Sequence, residues 1–189
     1  GRAWLGIGAG WYEREARGLG APFPPLKERF ERLEETILVC KQLWSRDDGR
    51  FEGRHYQFKE TLNSPQPLQK PHPPLLIGGR GEKKTIKLGA KYANAYNIHT
   101  DDPEVARHKF SVLRAHCEAQ GRDYNEVRRT VLMAMDPGVQ GKHCGELLDK
   151  LSRMAEAGAQ EVYGYLPHVD RLETLEVMGN EIIPRAKEL

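Results

Sequence analysis

Cysteine is scarce in this chain: Cys40, Cys117 and Cys144 are the only three in 189 residues, and no two share C-x-x-C spacing. An odd, widely spaced set excludes a disulfide framework and fits a reducing compartment, so a cytoplasmic location is expected. No apolar run reaches the ~18 to 20 residues that a bilayer-spanning helix needs, and the opening GRAWLGIG lacks the basic-then-apolar order of a secretory signal. No membrane partner is expected. Charge of one sign is also missing, because 29 basic residues face 27 acidic ones and leave a formal charge of +2. The bases are scattered among the acids, so nucleic acid is not implied as a partner. The seven histidines include the pairs His116-Cys117 and His143-Cys144 but show no ligand spacing, and no metal is assigned. Neither a G-x-S-x-G elbow nor a G-x-x-x-x-G-K-[ST] phosphate loop occurs. The dinucleotide fingerprint G-x-G-x-x-G fails at Trp11, Glu13 and Lys84, where its third glycine would stand.

What is present is a core-forming composition, with 39% apolar residues, and a repeating order of short apolar runs and helical patterns. Ala3 to Gly8 reads as a buried strand. Leu26, Phe30, Leu33, Ile37 and Trp44 fall at helical spacing. Leu75-Leu76-Ile77 reads as a strand, Glu82 to Lys91 as a helix and Ala95 to Ile98 as a strand. Asp102 is an N-cap before Pro103, opening a helix that Gly121 stops. Thr130 to Met135 is a strand, Gly145 to Ala157 a helix, Glu161 to Leu166 a strand and Val169 to Lys187 a closing helix. About five β-α units in succession require parallel strands with helical crossovers, which makes the fold α/β. Residues 45–73 interrupt the rhythm with the hairpin-like DDGRFEGRHYQF and the proline-rich NSPQPLQKPHPP, and read as an insertion over one end of a single domain covering 1–189.

The stretch PPLLIGGRGEKK runs a strand into Gly78, Gly79 and Gly81 and then turns helical. Such a loop presents free backbone N–H groups beside the positive end of a helix, with no Cβ in a ligand's way, so a phosphate or carboxylate cradle is one reading and Arg80 adds a charged donor. A tight turn that needs glycine conformations is the other.

In combination, LGIGAGWYEREARGLGAPFPPLKERFERLEETILVCKQLW, FEGRHYQF, NSPQPLQKPHPPLLIGGRGEKKTIKLGAKYANAYNI and VDRLETLEVMGNEIIPRA resemble the luciferase-like monooxygenase superfamily, with the nearest likeness to the branch that uses the deazaflavin coenzyme F420. That resemblance implies a (β/α)8 barrel, of which this chain is similar to strands four to eight with their helices; roughly a hundred residues of the first three units would be absent. A chain that opens on WLGIG without an initiator Met fits that view, with 45–73 lying over the active-site face. The resemblance places the cofactor against Gly8, Ala9, Gly10 and Trp11, with Arg14 toward its polar tail, and its phosphate on Gly78, Gly79, Arg80 and Gly81. His55, Tyr56, Asn97 and His99 are the candidate substrate-pocket residues, although His55 and Tyr56 also suit a purely structural role in the hairpin and Trp11 a packing role. No catalytic acid or base stands out. The implied function is F420-dependent hydride transfer to or from a small organic substrate. The alternatives are an FMN-dependent monooxygenase and a truncated, non-catalytic paralogue acting as scaffold or dimer partner. Open sheet edges would also favour a homodimer or other self-association.

Overall fold

The computed structural model describes residues 1–189 and holds a five-stranded parallel sheet with helices on one side. Strand β1 (Leu5–Ile7) leads into a short helix α1 (Glu13–Gly18) and a long one, α2 (Leu26–Leu43). The hairpin β2 (Phe51–Glu52) and β3 (Gln57–Phe58) follows, then β4 (Leu75–Gly78). A π-helical turn at Glu82–Ile86 continues into α3 (Lys87–Tyr92), and β5 (Ala95–His99) into α4 (Pro103–Ala119). Strand β6 (Arg128–Ala134), α5 (Cys144–Glu156), β7 (Glu161–Tyr165), α6 (Leu172–Val177), a second π-helical turn at Met178–Ile182 and α7 (Ile183–Ala186) complete the chain.

The order across the sheet is β1-β4-β5-β6-β7, all parallel, with register pairs such as Ile7↔Ile77, Asn97↔Thr130 and Met133↔Gly164. Each crossover is helical, as parallel pairing demands. Alternation along the strands sorts the side chains. Tyr96, Ile98, Val131 and Met133 point to the helices, where they join Phe110, Leu113, Leu147, Leu151 and Met154 in one core. Leu75 and Ile77 join Leu33, Ile37 and Leu88 in a second, smaller one. The opposite face carries Trp4, Asn97, His99, Thr130, Tyr163 and Tyr165; Trp4, Tyr163 and Tyr165 are 42%, 43% and 56% exposed. Strands β1 and β7 each have one neighbour, so both outer edges of the sheet are unpaired.

Local chemistry fixes the boundaries. The Asp102 carboxylate accepts from Glu104 N (2.9 Å) with Pro103 at the first helical position, and Gly121 leaves α4 at φ +66°. Arg122 closes the end of α3 by donating to the carbonyls of Ala90 (2.8 Å) and Ala93 (2.7 Å). The hairpin packs along α2, because the Glu35 carboxylate accepts from Arg54 N, His55 N and Tyr56 N in succession. The rest of segment 45–73 contacts the lower end of α2: Gln66 donates to the Leu43 carbonyl, and Thr61 bonds Gln42. No helix is long and apolar enough to cross a membrane.

Candidate functional site

The loops that follow β1 and β4 meet at the carboxyl ends of the strands. A Cβ built on Gly8 would stand 3.4 Å from the Gly78 carbonyl oxygen, so the two loops touch through backbone alone. Gly79 is tied to strand β5 itself, since its N–H donates to the Asn97 carbonyl (3.1 Å) while its own carbonyl accepts from the Tyr96 hydroxyl. Gly79 lies at φ +143°, and a Cβ there would meet Thr85 Cγ2 at 2.8 Å, so this position demands glycine. Past it, Arg80 and Gly81 are exposed and their N–H groups have no acceptor within the chain. Two adjacent free donors at the start of a helical segment are the chemistry that binds an oxyanion.

A π-helical turn follows these donors directly. Ile86 N donates to the Gly81 carbonyl (3.0 Å), a five-residue step that widens the first turn where Thr85 packs beneath Gly79 and Gly81. Helix α4 clamps the turn from outside. Lys109 Nζ reaches the Glu82 carboxylate at 2.6 Å, His108 Nε2 lies 3.0 Å from the same oxygen, and His116 Nε2 lies 2.9 Å from the Glu82 carbonyl oxygen. The hydrogen bond from Lys109, then that from His108, hold the Glu82 carboxyl below its ordinary range.

Beside the β1 loop lies a cavity of about 450 Å³ lined by Gly8 to Tyr12, Phe23, Arg29 and Tyr56. Trp11 is 85% exposed and stacks on Tyr12 with centroids 5.2 Å apart, which offers a flat aromatic surface and no core packing. Arg29 shapes this loop: its guanidinium donates to the carbonyls of Gly10 (2.6 Å) and Pro24 (3.1 Å) and lies 4.1 Å from the centre of the Phe23 ring. Nothing in the charged helix LKERFERLEE singles Arg29 out, because its partners are backbone oxygens five and nineteen residues away.

The sequence-derived candidates thus fall into sets. Gly8, Ala9, Gly10, Trp11 and Tyr56 line the cavity, and Gly78 to Gly81 form a loop that touches Gly8 through Gly78. Asn97 and His99 lie on the inner face of the sheet. Asn97 Nδ2 donates to Thr130 Oγ1 (2.7 Å), and the exposed His99 ring stands edge-on to Tyr165 at 5.8 Å. Tyr165 is a further inner-face group that sequence reading did not pick out; its one signal is the aromatic alternation Tyr163, Tyr165 at a strand end. Arg14 is exposed and outside the cavity. His55 is also outside it, with Nε2 2.9 Å from Glu31 Oε2 and its backbone on Glu35. Those contacts give His55 a hairpin-anchoring role.

No group of three His, Cys, Asp or Glu side chains is arranged to hold a metal ion. Burial raises the thiols of Cys40, Cys117 and Cys144 above their usual range, the opposite of what an activated nucleophile needs. Carboxylates move the other way. Glu31 is lowered by its bond with His55 and Asp101 by Lys150, while for Glu35 burial opposes ionisation and three backbone donors outweigh it. A folded-state value below the unfolded one adds stability that is complete above the ordinary range, 4.5 for Glu and 3.8 for Asp, and is lost as pH falls through the folded value. Thermal melts at stepped pH should therefore show Tm steady from neutral to about pH 5 and falling below about pH 4, first in the hairpin and the Glu82 clamp. A Tm that rose on acidification would contradict this.

The family described as luciferase-like monooxygenase matches residues 1–135. Over 121 residues the chain is 30% identical to the FMNH(2)-dependent dimethylsulfone monooxygenase of Pseudomonas putida, covering 64% of this chain and 33% of that protein. Over 134 residues it is 33% identical to the F420-dependent glucose-6-phosphate dehydrogenase of Kineococcus radiotolerans, covering 69% and 38% respectively. Among solved structures, an F420-dependent secondary alcohol dehydrogenase bound to an F420-acetone adduct superposes with a TM-score of 0.82 at 17% identity, over 98% of this chain and 70% of that one. The chain spans between a third and about half of the length of the curated relatives it matches first. Its five parallel strands are part of the luciferase-like (β/α)8 barrel, and the loops after β1 and β4 lie at its carboxyl face. Fold, loop placement and the match over residues 1–135 together make this chain a member of the luciferase-like monooxygenase family.

Proposed function

We propose that the chain forms the phosphate-binding side of an oxidoreductase that works with coenzyme F420 on a small organic substrate. The observation that carries this reading is the pair of unpartnered N–H groups at Arg80 and Gly81, on a loop where Gly79 leaves no room for a side chain and which touches the Gly8 loop. Three features suit a phosphate: two adjacent N–H groups without acceptors, the exposed Arg80 side chain, and the start of a helical segment directly after them. When bound, a deazaflavin supplies hydride transfer. The chain's own residues bind and orient. Gly8 and Gly78 allow a planar ring to approach backbone, Trp11 and Tyr12 offer an aromatic wall, and Asn97, His99 and Tyr165 present polar edges on the inner face for a substrate.

The identity to an F420-dependent dehydrogenase supports the deazaflavin, and the identity to an FMNH(2)-dependent monooxygenase supports a second reading, FMN-dependent oxygenation on the same cradle. Fluorescence titration of the full chain with each cofactor separates them. Affinity for F420 at least about tenfold above that for FMN, a difference of about 1.4 kcal/mol, is the expected result. The reverse order replaces it with the oxygenase reading, and binding of neither replaces both with a scaffold that lacks a working site.

A further inference from the structure

Tyr96 is the largest fully buried side chain, yet its hydroxyl is not spent on the core. The ring lies on the helix side of β5 against Gly89, where an added Cβ would come within 2.7 Å of Tyr96 Cδ2. The absence of a side chain at Gly89 is what lets the ring sit there. From that position the hydroxyl donates to the Gly79 carbonyl, and the neighbouring Asn97 carbonyl takes the Gly79 N–H. Two consecutive residues of β5 thereby hold both polar groups of Gly79. Burial pushes the phenol's pKa well up, so the group stays a proton donor at any physiological pH.

The peptide joining Gly79 to Arg80 is trans, and in a planar trans peptide the C=O and the following N–H point in opposite directions. Fixing the Gly79 carbonyl toward the core therefore turns the Arg80 N–H outward. We propose that Tyr96 is a positioning residue for anion binding: through its hydrogen bond to Gly79 it aims the Arg80 N–H at the ligand's phosphate. This rests on the cradle reading given above and adds the element that sets its direction. Thr85 supports the loop from below by packing, but Tyr96 is the side chain that bonds the carbonyl whose orientation decides the donor.

Tyr96→Phe keeps the ring and removes only the hydroxyl. The measurement is the affinity ratio between the phosphate-bearing cofactor that the wild type binds more tightly, F420 or FMN, and its phosphate-free counterpart, the bare deazaflavin or riboflavin. In Tyr96→Phe this ratio should fall about tenfold, while affinity for the phosphate-free ring stays within about twofold and Tm drops by about 2–4 °C for one lost hydrogen bond. Gly89→Ala, which presses a methyl group against the Tyr96 ring, is a second route to the same selective loss and serves if the phenylalanine variant fails to fold. Equal loss for both ligands would make Tyr96 merely structural and overturn the proposal, as would an unchanged ratio in a folded variant. A wild type that shows no preference for the phosphate-bearing ligand, or binds neither, would instead remove the cradle reading itself.

Discussion

Gly79→Val should lower the affinity for a phosphate-bearing cofactor by at least about a hundredfold, equivalent to about 2.7 kcal/mol, and destabilise the chain at the same time. Two independent costs meet at this position. The backbone sits at φ +143°, where L side chains are rarely found, and forcing one there costs about 1–3 kcal/mol. The new Cβ would meet Thr85 Cγ2 at 2.8 Å, and Thr85 is buried, so overpacking adds about 1–3 kcal/mol more. Relief comes only by moving the loop, which takes the Arg80 and Gly81 donors with it. Gly81→Ala is the internal control. Its φ of −77° suits any residue and its nearest neighbour would be Thr85 Oγ1 at 3.0 Å, so it should cost under about 1 kcal/mol of stability. Thermal melts and ligand titrations on the same preparations decide the matter. A Gly79→Val chain that binds as tightly as wild type would show that the loop is only a turn.

The parts of this arrangement that announce themselves in the sequence are those set by local chemistry. Asp102-Pro103 opens α4 and Gly121 ends it because an N-cap, a fixed φ and a left-handed exit are properties of single residues. The five strands show for the same reason, as apolar runs between turn residues. Helix α1 does not: EREARG is six residues long, buries nothing and follows a glycine-rich turn, so neither periodicity nor length marks it. The composition of the loop is legible in GGRG, but what holds it in place is not. That depends on Tyr96 seventeen residues on, on the space left by Gly89, and on the Glu82 carboxylate meeting Lys109 across 27 residues. Glu35 looks like one more charge on a solvated helix face, and only the fold brings three hairpin amides to it. His99 and Tyr165 become neighbours because β5 and β7 flank β6 in the sheet.

The two cores predict where the molecule opens first. Amides in β1 and α2 should exchange with solvent deuterium at least about a hundredfold faster than those in β6 and α4, a gap of about 2.7 kcal/mol in opening free energy. Eighteen buried residues tie α4, α5, β5 and β6 together, including Phe110, Leu113, Met133 and Met154, whereas six hold α2 to β4 and α3. Each fully buried aliphatic or aromatic side chain contributes about 1.5–3 kcal/mol on removal from water, so the smaller cluster leaves its half of the molecule with less to lose on opening. Strand β1 is three residues long at an unpaired edge, and α1 has no buried residue at all. The weaker half is the one that carries Gly8 to Trp11, while the loop of Gly78 to Gly81 sits at the seam, tied to the stronger half by Tyr96 and, through Glu82, by Lys109. A ligand phosphate would thus meet a loop held by β5 and a yielding aromatic loop, and saturation with ligand should slow exchange at the free Arg80 and Gly81 amides that would bond it and across residues 8–12, while the Gly79 amide, already bonded to Asn97, changes little. Uniform protection across both halves would mean one cooperative unit, and the Trp11 loop would then be as preformed as the glycines it touches.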